Sequence, residues 1–136
     1  MLVKEKLNTV LLIDNHSESS SYHRGLITGA GIAEHVDTAA NAVEGLQYLL
    51  SRDRYPDLIL IDVYLPEMSG WEFMAEFHRL PLLNRRNSTV IALSPSPTPG
   101  EKQIALLMDS VADFKSTPLD LKELQDIISE HFGEML

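Results

Sequence analysis

"LILIDVYLPEMSG", residues 58–70, is the stretch from which the rest of the chain can be read. Leu58, Ile59, Leu60 and Ile61 are apolar without alternation, which suits a strand covered on both faces. Asp62 ends the run, and Pro66, Met68 and Gly70 follow as turn chemistry. Two further runs have the same character, "TVLLI" at 9–13 and "STVIAL" at 88–93, beside "DLILI" at 57–61. Weaker strands are expected at 33–39, "AEHVDTA", and at 111–116, "VADFKS".

Helix-period segments separate these strands. A first helix over about 17–28 has Tyr22, Leu26 and Ile27 as its apolar members. Residues 41–51 place Val43, Leu46, Leu49 and Leu50 on one face. "SGWEFMAEFHRL" opens with a capping box, Ser69 with Glu72, followed by Phe73, Met74, Phe77 and Leu80. "TPGEKQIALLM" repeats the device, with Thr98 as N-cap, Pro99 at N1 and Glu101 at N3. "TPLDLKELQDIISEHF" has Thr117, Pro118 and Asp120 in the same places, then Leu121, Leu124, Ile127 and Ile128. The order βαβαβαβαβα predicts an α/β, doubly wound fold with a parallel sheet and helices on both faces. In such sheets ligands gather at the carboxyl ends of the strands, where strand order reverses.

Composition narrows the function. A chain of 136 residues suits one domain, with a core over about 8–132 and no room for an output domain. It contains no Cys, which excludes disulfides and thiolate chemistry. "MLVKEKLNTV" has no signal-peptide apolar region and no run reaches membrane-spanning length, so a cytoplasmic setting is expected. The formal charge of −9 opposes nucleic acid and anionic lipid as partners and suits a cation or a basic protein surface.

The strand ends carry the chemistry. The first is followed by Asp14 and Asn15, the third by Asp62, the fourth by Ser94 and the fifth by Thr117. Two acids brought to one rim repel unless a cation lies between them. Oxygen donors without Cys or a His trio favour Mg²⁺, which needs only one or two carboxylates. A carboxylate beside that ion can attack phosphorus and form an acyl phosphate. Either Asp alone reads more readily as a turn or capping residue than as a site; it is the pair, with a hydroxyl ending a third strand, that points to a site.

With these residues in place, the chain resembles the receiver domain of bacterial two-component response regulators over nearly its whole length. The matching pieces are "VLLIDN", "PDLILIDVYLPEMSGWEF", "TVIALSPS" and "DFKSTPLDLKEL". The resemblance implies a flavodoxin-like, five-stranded sheet of order 2-1-3-4-5. It also implies Mg²⁺-dependent transfer of phosphate from a histidine kinase to an aspartate. By position, Asp62 is the phosphoacceptor and Asp14 belongs to the metal-binding acidic pair, with the Tyr64 backbone carbonyl as a further ligand. Ser94 is the switch hydroxyl, Phe114 the switch aromatic, and Pro118 follows a cis peptide. The partners implied are a sensor histidine kinase or phosphotransfer protein and a downstream protein target, met on the face around Phe114, the preceding helix and the last helix. No small-molecule substrate is implied.

Two positions depart from that family. Asn15 stands for the second acid, offering a possible metal-binding carbonyl but no charge, and Thr117 stands for the lysine before the proline. In formal charge the two changes cancel. Lys115 lies two residues back, about 7 Å along a strand. His16 reads as a plain loop histidine in preference to one that lines the pocket or accepts phosphate, whereas His23, His35, His78 and His131 share no ligand spacing and read as surface or helix residues. Trp71 reads as helix-start packing. "SESSS", 17–21, lacks the glycine of a flavin-phosphate loop. Three functions follow: a phosphorylatable receiver; a pseudo-receiver that binds protein with weak or no phosphorylation; and an aspartyl phosphohydrolase. The last is disfavoured because Tyr64 occupies the place of its second acid.

Overall fold

A computed structural model describes residues 6–51, 55–81, 83 and 88–133. Its elements alternate in chain order. They are β1 (Leu7–Ile13), α1 (Ser17–Gly29), β2 (Ala33–Ala39), α2 (Ala42–Ser51), β3 (Leu58–Asp62), α3 (Gly70–Arg79), β4 (Thr89–Ser94), α4 (Pro99–Leu107), β5 (Val111–Ser116) and α5 (Leu121–Phe132). The strands form one sheet of order β2-β1-β3-β4-β5 in which every pairing is parallel. Strand order therefore reverses between β1 and β3.

Strict alternation of side chains explains why the central strands are apolar throughout. Leu11 and Ile13 of β1, Ile59 and Ile61 of β3, and Val90 and Ala92 of β4 pack with Ala42, Leu49, Phe73, Met74, Phe77 and Ala105, beneath α2, α3 and α4. Their neighbours Val10, Leu12, Leu58, Leu60, Ile91 and Leu93 pack with Ile27, Leu124, Ile127 and Ile128, beneath α1 and α5. A polar substitution at any of them would face a helix whichever way the strand turned.

The helix starts follow local capping chemistry. Ser69 and Thr98 form the expected reciprocal boxes with Glu72 and Glu101. For α5 the expectation is corrected: the N-cap is Asp120, whose carboxylate accepts from Glu123 N while Glu123 accepts from Asp120 N. Thr117 is withdrawn from that role because its amide donates to Ser94 O at 2.9 Å, prolonging the sheet. The Thr117–Pro118 peptide is cis.

Helix faces differ in detail from the sequence reading. Val43 and Leu50 are exposed at 43% and 57%, and the buried stripe of α2 is Ala42, Gly45 and Leu49, with Leu46 partly covered. Leu121, at the start of α5, is also outward. On α1, Tyr22 is half-exposed, and His23, read as a surface or helix residue, is a helix residue whose side chain is buried. His23 Nε2 accepts the Leu119 amide at 3.1 Å, its Nδ1 lies 2.9 Å from Ser19 O, and the Tyr22 hydroxyl donates to Leu119 O at 2.5 Å. Helix α1 thus holds both backbone polar groups of the residue after Pro118.

That clamp makes stability pH-dependent. Burial lowers the His23 pKa below its ordinary value, against the Ser19 carbonyl and the charge of Asp14, which pull it up. A base with a depressed folded pKa binds its proton more readily in the unfolded chain, so stability is full above about pH 6.5 and falls as the pH drops below it. Protonation also strips the Leu119 amide of its acceptor, at a cost of about 1–3 kcal/mol. Urea midpoints at pH 7.5 and 5 should therefore differ more for the wild type than for His23→Gln; equal differences would remove His23 from the pH response.

Candidate functional site

The sheet register builds the site. Ile13 lies opposite Ile61, so Asp14 and Asp62 leave neighbouring strands side by side at the point where strand order reverses. Asp62 in turn pairs with Leu93, which places Ser94 next along the rim, and the Thr117 amide reaches Ser94 O. Residues 14, 62, 94 and 117, which sequence reading set at four separate strand ends, share one edge of the sheet.

Both acids are partly buried and both make Asx turns. Asp14 Oδ1 accepts the His16 amide at 2.8 Å, and Asp62 Oδ1 accepts the Tyr64 amide at 2.9 Å. The turn role and the site role weighed as alternatives are thus compatible, since a carboxylate has two oxygens. Carboxylate oxygens of Asp14 and Asp62 and a ring nitrogen of His16 lie within 4.8 Å of one another. Burial raises the Asp62 pKa; the Tyr64 amide pulls it down, Asp14 pushes it further up, and His16 opposes that rise.

The loop behind Asp62 is held by close backbone packing. Gly70 donates to Val63 O at 3.1 Å, and a Cβ on Gly70 would stand 2.5 Å from Asp62 O. Glu67 adopts φ 65°, the left-handed region that a residue with a side chain rarely enters. Helix α3 can begin this near the acid only because residue 70 has no side chain.

The other expected site residues are placed as follows. Ser94 is fully buried, and its hydroxyl accepts the Ser96 amide at 3.3 Å. Phe114 is buried, edge-on to Trp71 at 5.9 Å between ring centroids, which fits Trp71 as packing. Asn15 and Pro118 are exposed and Thr117 is half-buried. Lys115 is turned from the rim: its ammonium lies 3.4 Å from Asp113, whose carboxylate also faces His131. "SESSS" forms the first turns of α1 rather than a loop.

One contact had no sequence signal. The half-exposed Tyr64 donates its hydroxyl to Glu101 Oε2, and that carboxylate holds the phenol above its ordinary pKa. Glu101 Oε1 meanwhile accepts the Thr98 amide of its capping box. Tyr64 and Glu101 are 37 residues apart and lie in no recognisable pattern.

The two carboxylates suit a divalent ion. Two carboxylates on adjacent strands, one with its pKa raised partly by the other, form a site that a dication would stabilise in its ionised state. The Tyr64 carbonyl follows on the same loop.

Comparison with known proteins agrees with this architecture. Residues 10–129 match the family profile described as the response regulator receiver domain. The chain is 26% identical to the polar-differentiation response regulator DivK of Brucella ovis, covering 93% of this chain and 97% of that one. It is 36% identical over 80 residues to the sensor histidine kinase CheAY of Helicobacter pylori, where the match spans 54% of this chain but only 10% of that protein. A two-component response regulator from Cytophaga hutchinsonii superposes with a TM-score of 0.85 at 26% identity, covering 96% of this chain and all (100%) of that one. Among the described residues no helix is long and apolar enough to cross a membrane. The chain belongs to the response regulator receiver family, whose members are signalling proteins of two-component systems.

Proposed function

We propose that this receiver accepts a phosphoryl group on Asp62 from the phosphohistidine of a cytoplasmic sensor kinase or phosphotransfer protein. The observation that carries the reading is the side-by-side exit of Asp14 and Asp62 at the strand-order reversal. An Asp62 oxygen attacks phosphorus, the P–N bond breaks, its electron pair returns to the imidazole, and an acyl phosphate forms. A bound Mg²⁺ would neutralise charge on the transferring oxygens. Asp14 and Asp62 would hold that ion with the Tyr64 carbonyl, and Asn15 could add its amide oxygen. The chain is the acceptor in this step and not a turnover enzyme.

On this reading Ser94 is the switch hydroxyl, Phe114 the switch aromatic, and Thr117 and Pro118 form the rim. The state is read by a downstream protein on the surface of α4, β5 and α5. Helix α4 supports that assignment, because Ile104, Leu106 and Leu107 are exposed there, Leu107 at 83%. The acids of α5 support it less. Asp120 and Glu123 are used in the cap, and Asp126 pairs with Lys122 at 3.2 Å.

A second reading, a protein-binding pseudo-receiver, is favoured by Thr117 in the lysine's place and by the engagement of Lys115, two residues back, with Asp113. Intact mass after incubation with Mg²⁺ and acetyl phosphate separates the two. A single phosphoryl adduct that disappears in Asp62→Asn is the expected result. No adduct at any Mg²⁺ concentration would establish the pseudo-receiver instead.

A further inference from the structure

His16 stands closer to the acids than a loop histidine needs to. The Asx turn that closes Asp14 Oδ1 on the His16 amide brings the ring back over the same carboxylate, with Nδ1 3.6 Å from Oδ1. A ring nitrogen of His16 also lies within 4.8 Å of an Asp62 carboxylate oxygen, so the ring neighbours both acids. Two atoms each about 2.1 Å from one ion stand no more than about 4.2 Å apart. The three donor atoms already lie within 4.8 Å. The His16 side chain is 68% exposed, and its Nδ1 is already within that limit of Asp14 Oδ1.

We infer that His16 is a third protein ligand of the metal site, and that the Asp14–Asp62–His16 set selects imidazole-accepting divalent ions such as Co²⁺ or Zn²⁺ over Mg²⁺. The inference rests on the acidic rim being a metal site, as proposed above. Its physical basis is ligand type. Mg²⁺ takes oxygen donors and keeps its waters, so a neighbouring imidazole adds little. Co²⁺ and Zn²⁺ bind imidazole nitrogen directly. Asn15 contributes no charge, so a nitrogen donor one residue on supplies a ligand where the family's second acid is missing. The bland alternative is a surface ion pair between His16 and Asp14.

Calorimetric titration of the full chain, without a histidine tag, tests this with CoCl₂ and MgCl₂ in separate runs. Asp113, Glu130 and His131 form another convergent group, so all proteins carry His131→Gln. Co²⁺ should bind tighter than Mg²⁺. His16→Ala should weaken Co²⁺ by at least about tenfold while leaving Mg²⁺ within about twofold. His16→Gln should behave like His16→Ala. With ZnCl₂, the ring resonances of His16 should shift in NMR spectra. If His16→Ala weakens both ions equally or neither, His16 is an ion-pair partner only and the inference fails. If Asp14→Asn and Asp62→Asn leave both ions bound as before, the acidic-rim reading fails with it. If those two variants abolish binding and His16→Ala changes nothing, only the role of His16 is overturned.

Discussion

Gly70→Ala is expected to destabilise the fold by about 2–3 kcal/mol and to impair phosphorylation of Asp62 beyond that loss. The new methyl carbon would sit 2.5 Å from Asp62 O and 2.6 Å from Val63 Cα. Both are backbone atoms, so no rotamer change relieves the contact. Either α3 withdraws or the end of β3 bends, and the second moves the acid itself. Gly45→Ala is the matched control. Its methyl would stand 2.6 Å from Ile13 Cδ1, the tip of a side chain that can give. The helix propensity gained by alanine, about 1 kcal/mol, offsets part of that crowding. Urea denaturation should separate the two variants clearly, and adduct yield at a temperature where both are folded should fall only for Gly70→Ala. Equal losses would mean that close approach to Asp62 is not what residue 70 provides.

The second large effect concerns the two departures from the family pattern. Asn15→Asp alone adds a third acid and no cation, raising repulsion toward an incoming phosphoryl group. Thr117→Lys alone sets an ammonium beside two acids that must hold a dication. Each single change should slow adduct formation at subsaturating Mg²⁺ about fivefold to tenfold, and the double variant should recover the wild-type rate or exceed it. The expected departure from additivity is about 1–3 kcal/mol. Additive rates would end the claim that the substitutions compensate electrostatically. Mg²⁺ affinity measured in parallel shows whether the effect lies in binding the ion or in using it.

Much of this was legible because it is local. Unbroken apolar runs located the three central strands, and the Ser69/Glu72 and Thr98/Glu101 spacings located two helix starts. Thr117-Pro118 and Asp120-Leu121-Lys122-Glu123 offer overlapping start signals for α5. The choice between them is made across the sheet, where Ser94 O takes the Thr117 amide. His23 looked unremarkable because its partner, Leu119, is 96 residues away. The buried face of α2 was misjudged by following its largest apolar side chains, whereas Gly45 marks where the helix meets Ile13 and Phe73. The pairing of Asp14 with Asp62 was readable as an expectation. The return of the His16 ring over Asp14 was not, since it depends on a turn that the Asp14 carboxylate itself closes.

Glu101 gives the molecule an unusually short transmission line. One carboxylate oxygen fastens the first turn of α4 and the other receives Tyr64, which lies two residues past Asp62 on the acid-bearing loop. A rearrangement of that loop therefore reaches the outward leucines of α4 through a single side-chain link, without first having to travel through the packed interior.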